Sequence, residues 1–118
     1  MMPKKSKADI LKELLEAELN KNGVRYGGCV FSMGEVNYLG DYVFNDMVVD
    51  VVGDSKDKRI NSITKFKSKY GCRYKVIILA DDKMKNVLDC TVADEVYTIS
   101  SMGLLIKKIQ NSFKNRMN

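Results

Sequence analysis

The sequence predicts an α/β (α+β mixed) domain, with helices on both faces of a mixed β-sheet. Three observations predict it. The 118 residues are one domain's worth of chain. Apolar runs of strand length alternate with stretches of helical period in the order α-β-β-β-α-β-α-β-α. The runs at 47–53 and 73–80 are apolar on both faces, as in strands covered from two sides, and a helix of about 13 residues separates them. That is the composition of a right-handed parallel crossover, here fed by an antiparallel meander.

Each element has a local reason. Ser6 and Asp9 form a capping-box-like start to a helix ending near Asn22, with Gly23 as its stop. Ile10, Leu11, Leu14 and Leu15 form its apolar stripe, and Glu18 projects into the middle of that stripe. Residues 24–33 predict a strand interrupted at Gly27-Gly28, read as a bulge, and Gly34-Glu35 turns the chain. Residues 36–44 and 47–53 predict a hairpin around Asn45-Asp46. The helix over 58–70 carries Ile60, Ile63, Phe66 and Tyr70 on one side and Lys58, Arg59, Lys65, Lys67 and Lys69 elsewhere. Strand 73–80, a short helix near 83–89 and a strand near 95–99 follow. Asp81-Asp82 reads as a helix cap or as a ligand site at a strand's carboxyl end. The last helix, near 102–115, is capped by Ser100 or Ser101. Its apolar face is Met102, Leu105, Ile106, Ile109 and Phe113. The single domain spans 1–118, with 1–6 and 115–118 expected as flexible tails.

Composition narrows the chemistry. There is no histidine, which excludes Ser-His and Cys-His nucleophilic catalysis and histidine-ligated metals. Cys29, Cys72 and Cys90 are odd in number, without CxxC spacing, and read as reduced cytosolic thiols; a cytoplasmic location follows. No apolar run approaches the roughly 20 residues of a membrane span, and no secretory signal is seen. The net charge of +5 fits a polyanionic partner. Abundant lysine and asparagine with a single proline hint at an AT-rich genome, viral or phage among the sources.

The most informative feature is an acid pair. A two-residue turn pairs Phe44 with Met47, Val43 with Val48, Tyr42 with Val49, and Asp41 with Asp50, with Leu39 facing Val52 beyond them. Opposed side chains in a hairpin have Cβ atoms about 4.5–5.5 Å apart, and like charges so placed repel. The flanking pairs are apolar, so the acids meet in a partly buried place. They need a divalent cation, a shared proton, or a nearby lysine or arginine. A register slip of one residue would instead put them on opposite faces.

The element order and the acids around the hairpin resemble the PD-(D/E)xK nuclease superfamily, the restriction-endonuclease-like fold shared with Holliday-junction resolvases. Gly40-Asp41 matches the proline-aspartate position. Asp50-Val51-Val52-Gly53 matches acid-any-lysine-glycine, with Val52 in place of the lysine. Asp57-Lys58-Arg59-Ile60 opens the following helix, and the likeness covers roughly residues 8–80.

The resemblance implies a divalent-metal-dependent endonuclease acting on DNA, branched or repair substrates included. Mg²⁺ or Mn²⁺ would be held by Asp41, Asp50 and either Glu16 or Glu18. Lys56 or Lys58 would stand in for the lysine. Asp54-Ser55-Lys56 is a second acid-any-lysine alignment. Lys56, Lys58, Arg59, Lys65 and Lys69 would hold phosphates. The family often works as a dimer, and the last helix offers a face for a homodimer or for the core.

Two other readings stand beside it. Val52 favours a catalytically inactive nucleic-acid-binding or assembly module on the same fold. A small Rossmann-like nucleotide- or protein-binding domain would have a mostly parallel sheet and no Asp41–Asp50 pairing.

Overall fold

The computed structural model describes residues 5–84, 86–88 and 91–116. Its elements are α1 (Lys7–Lys21), β1 (Cys29–Ser32), β2 (Asn37–Gly40), β3 (Tyr42–Phe44), β4 (Met47–Val52), α2 (Arg59–Tyr70), β5 (Lys75–Ala80), β6 (Glu95–Thr98) and α3 (Met102–Arg116). The mixed α/β class and the element order are those the sequence predicts, with two refinements. The strand expected over 36–44 is broken at Asp41 into β2 and β3, and the short helix near 83–89 is a 3-10 turn over Asp82–Met84.

The sheet order is β3-β4-β5-β6, with β1 and β2 forming a separate two-stranded sheet. β3 is antiparallel to β4, in the expected register: Phe44 on Met47, Val43 on Val48, Tyr42 on Val49. β5 runs parallel to β4, and β6 parallel to β5. β4 is buried along its whole length, as a strand apolar on both faces must be. One face of the sheet packs Tyr42, Val49, Val51, Ile77 and Leu79 against α1 and α3. The other packs Val48, Val52, Val76 and Ile78 against α2 and the β1–β2 pair.

Local chemistry explains the boundaries. Ser6 caps α1 by accepting from the Asp9 N–H at 3.1 Å, while the Asp9 carboxylate accepts from the Ser6 N–H. Gly23 after its end has φ +69°, the left-handed stop. The buried stripe of α1 is Leu11, Leu15 and Leu19, so the expected face is rotated: Ile10 and Leu14 stay 46% and 40% exposed. Spacing supports either stripe; contact with α3 and the sheet selects one.

The strand expected over 24–33 is shorter because residues 24–28 form no ladder. Gly27 C=O accepts from the Val43 N–H at 2.9 Å instead. A Cβ on Gly28 would lie 2.7 Å from the Gly40 carbonyl oxygen, so only glycine fits that approach. Asn45 turns the hairpin at φ 56°, a conformation asparagine tolerates. Its amide donates to the Ser112 carbonyl of α3 at 3.3 Å.

The Ser101 hydroxyl accepts from the Thr98 N–H at 2.9 Å, at the 3-10 turn that leads into α3. Residues 1–4 and 117–118 lie outside the described residues, as does Cys90. The tail expected over 115–118 is shorter, since α3 continues to Arg116. Among the described residues no helix is long and apolar enough to cross a membrane.

Candidate functional site

The acid pair assembles as its register requires. The β3–β4 ladder ends at Tyr42–Val49. At the next position side chains replace the rungs: the Asp41 N–H donates to Asp50 Oδ1 at 2.9 Å, and the Val51 N–H donates to Asp41 Oδ2 at 2.9 Å. The two carboxylates are thus on one side of the sheet. The Rossmann-like alternative expects no such pairing of the acids, although two of the three pairings in the four-stranded sheet are parallel, as it expects. Leu39 does not reach Val52; with the strand broken at Asp41 it pairs with Val30 on β1 and is exposed.

The cation between the acids is Arg59. Nη1 donates to Asp41 Oδ1 at 2.6 Å, and Nη2 donates to Asp50 Oδ1 at 3.1 Å and to the Leu39 carbonyl at 2.9 Å. The fork therefore ties the end of β2, the break at Asp41 and the centre of β4 together, a task suited to a planar group with five donors.

Arg59 is aimed there by Asp57. The Asp57 carboxylate accepts from the Gly53 N–H at 3.0 Å and from the Arg59 N–H at 2.9 Å, joining the end of β4 to the start of α2. The Tyr38 hydroxyl donates to Asp50 Oδ2, and the Tyr38 ring stacks on Phe66 with centroids 4.7 Å apart. The guanidinium carbon lies 5.8 Å from the Tyr38 ring centroid. Lys12 of α1 approaches Asp41 Oδ1 at 3.4 Å.

Burial sets the electrostatics. Asp50 is 0% exposed, and desolvation pushes its pKa up to about 6, against the hydrogen bonds from Tyr38 and the Asp41 N–H and the charge of Arg59. Burial also drives Tyr38 well above the usual tyrosine range, reinforced by the Asp50 carboxylate it serves. Arg59 is half-buried. Burial alone would lower its pKa, but its bonds to Asp41 and the nearby acids hold it above the ordinary value.

The other expected site residues fall elsewhere. Glu16 lies on the far face of the sheet, accepting from the Tyr42 hydroxyl at 2.5 Å and the Tyr26 hydroxyl at 3.3 Å. Burial and that bond raise the Tyr42 pKa. Glu18 borders a groove with Leu14, Ala17, Ile99 and Met102, between α1 and the start of α3. Neither glutamate joins Asp41 and Asp50. Among the described residues there is no group of three or more acidic or cysteine side chains arranged to hold a metal.

Val52, at the expected lysine position, is fully buried in the core beneath α2. Lys56 is exposed in the Asp54–Asp57 turn, where its N–H donates to Asp54 Oδ1 at 2.9 Å. Lys58 and Lys65 are exposed on α2 or at its start. Lys69 donates to the Ser32 carbonyl at 3.1 Å. Asp81 acts as a cap, accepting from the Lys83 N–H at 3.2 Å.

As placed, these residues do not fit a hydrated Mg²⁺ or Mn²⁺ centre. Both acids already hold donors on each oxygen, and Asp50 has no open face. Of the three remedies for facing carboxylates, the chain uses the basic neighbour. The nuclease resemblance assigns Arg59 to phosphate contact, whereas the structure gives it to the acid pair. The available signal was its place at the start of the helix after β4, two residues beyond a capping Asp57. Tyr38 and Lys12 carried no comparable signal, because both act across elements distant in sequence.

No family model matches the chain, and neither a curated protein nor a solved structure matches it.

Proposed function

We propose that this chain is a nucleic-acid-binding module of nuclease-like architecture that does not cleave its ligand. The Arg59 fork carries this reading. It neutralises the two acids that a metal would need, while Val52 stands where the nuclease motif has its lysine.

Support for a nucleic-acid partner comes from α2. Lys58, Ser62, Lys65 and Lys69 recur at helical spacing along its exposed side, Lys56 precedes them, and Arg59–Tyr70 contains no acid. Such a row neutralises phosphates and releases counterions, so affinity falls steeply with salt. DNA is the expected ligand, in a cytoplasmic setting.

The test is a titration of labelled duplex and branched DNA across salt concentrations, with chelator and then with Mn²⁺. The expected result is salt-steep binding, weakened by Lys58→Glu and Lys65→Glu, with the DNA left intact. Absence of binding at low salt would reject the proposal.

The endonuclease reading remains the second one, favoured by the meeting of Asp41 and Asp50 at one cation position. It requires Arg59 to withdraw and a divalent ion to take its place, and a homodimer belongs to it. Mn²⁺-dependent cutting of supercoiled or branched DNA, abolished in Asp50→Ala, would install it over the first.

A further inference from the structure

We infer that the cleft beside the N-terminal ends of β4 and β5 binds a phosphate-bearing ligand of nucleotide size. The cleft has a volume of about 610 Å³ and is walled by Lys75, Tyr97, Leu104, Lys107, Lys108 and Asn111. That is within the range of small-molecule sites, roughly 300–1,000 Å³. It lies on the α3 side of the sheet, across from the α2 lysine row, and the inference does not depend on that row.

The cleft is organised by one carboxylate. Glu95 Oε2 holds the Lys75 ammonium at 2.7 Å and the Lys108 ammonium at 2.5 Å. The Tyr97 hydroxyl donates to Oε1 at 2.6 Å, which leaves Oε2 to the two lysines. Each ammonium carries three N–H donors, and both lie within ion-pair distance of Glu95 Oε2. Lys75 and Lys108 line the cleft together with Lys107 and Asn111. Lysines held by a shared carboxylate lose less freedom when an anion arrives than lysines free in solvent.

The cleft lining carries three ammoniums, Lys75, Lys107 and Lys108, and one carboxylate, the exposed Asp46 at the rim, with Glu95 behind Lys75 and Lys108. Glu95 is already engaged, so a net positive site faces the cavity. The Tyr97 ring, Met47 and Leu104, which is 62% exposed, give an apolar wall. Clustered donors beside an apolar wall match a phosphate joined to a flat ring.

Amide NMR of the ¹⁵N-labelled full chain tests this, with adenosine monophosphate, inorganic phosphate, adenosine and an oligonucleotide lacking terminal phosphates as probes. Saturable shifts at Lys75, Tyr97, Lys107, Lys108 and Asn111 with the monophosphate are the expected result. Equal shifts with the oligonucleotide would identify a strand phosphate as the source, and shifts with the mononucleotide alone a free ligand. The Lys107→Gln/Lys108→Gln double variant should bind at least about tenfold more weakly, the factor that loss of a single charge-assisted hydrogen bond would give. Lys65→Gln/Lys69→Gln should leave mononucleotide binding unchanged. Undisturbed cleft amides at millimolar probe, equal binding of adenosine, or unchanged affinity in a folded Lys107/Lys108 variant would each overturn it.

Discussion

The molecule contains two clusters of the same chemical parts in different surroundings. At the acid pair, Asp50 meets Arg59 and the Tyr38 hydroxyl; at the α3 cleft, Glu95 meets Lys75, Lys108 and the Tyr97 hydroxyl. Their carboxylates move in opposite directions. Asp50 rises to about 6, and Glu95 falls to about 2. Burial opposes ionisation in both and is the largest influence on each.

The outcome turns on what remains of solvent. The Asp50 side chain is 0% exposed and shares its arginine with Asp41, while Glu95 is 28% exposed and commands two lysines. Ion pairing wins where water still helps and where the cations outnumber the acid. It loses at Asp50, which is fully desolvated and shares one guanidinium with Asp41. The first cluster holds architecture together, and the second keeps cations poised at a surface.

Removing the shared cation should break the buried cluster most severely. Arg59→Ala leaves two facing carboxylates without their bridge and is expected to cost about 3–5 kcal/mol, the range for a broken buried pair. Chemical denaturation at neutral pH measures it. A loss below about 1 kcal/mol, the exposed-pair range, would mean the fork is incidental.

Acidity sharpens the contrast next. Asp50 binds its proton more tightly folded than unfolded, so its contribution to stability is fully present below pH 3.8 and is lost as pH rises through about 6. The swing is on the order of 3 kcal/mol. Glu95 has the opposite sign: its contribution is present above pH 4.5 and lost as pH falls through about 2. Denaturation midpoints across pH 2–7 in wild type and Asp50→Asn should separate the two, because the variant removes only the loss between pH 3.8 and about 6. Identical profiles would contradict the Asp50 assignment.

Tyr38→Phe keeps the stack on Phe66 but deprives Asp50 Oδ2 of its donor. A loss of about 1–3 kcal/mol is expected, as for an orphaned buried acceptor. Carboxyl NMR should show the Asp50 pKa moving further up, since that bond lowers it.

The smallest effect belongs to the cleft. Glu95→Gln should change stability by no more than about 1 kcal/mol, and the difference should shrink in high salt. A larger, salt-insensitive loss would make the two clusters alike.

Much of the chain's fold was legible locally. Ser6 and Asp9 start α1 because their polar groups satisfy each other's backbone within three residues. The two-residue turn at Asn45-Asp46 between Tyr42–Phe44 and Met47–Val52 defines the hairpin register, and with it the meeting of Asp41 and Asp50. The apolar double face of β4 and β5 marks the centre of the sheet.

Other features depended on partners remote in sequence. Helical spacing allowed either Ile10 or Leu19 on the stripe of α1, and only α3 and the sheet chose Leu19. Likewise, Glu16 shares a helix with Lys12, yet one turns to Tyr42 and the other to Asp41.

The amino-acid order by itself determined the hairpin and, at a two-residue turn, a register in which its two acids face each other, because strand periodicity and turn length are short-range properties; the ladder of the folded sheet settled that register against a one-residue slip. The order also determined that some cation or proton must accompany them. Which partner that is was decided only in three dimensions. Arg59 arrives from a separate helix, steered by Asp57, and Tyr38 from a separate sheet, and long-range packing is where side chains distant along the chain acquire their neighbours.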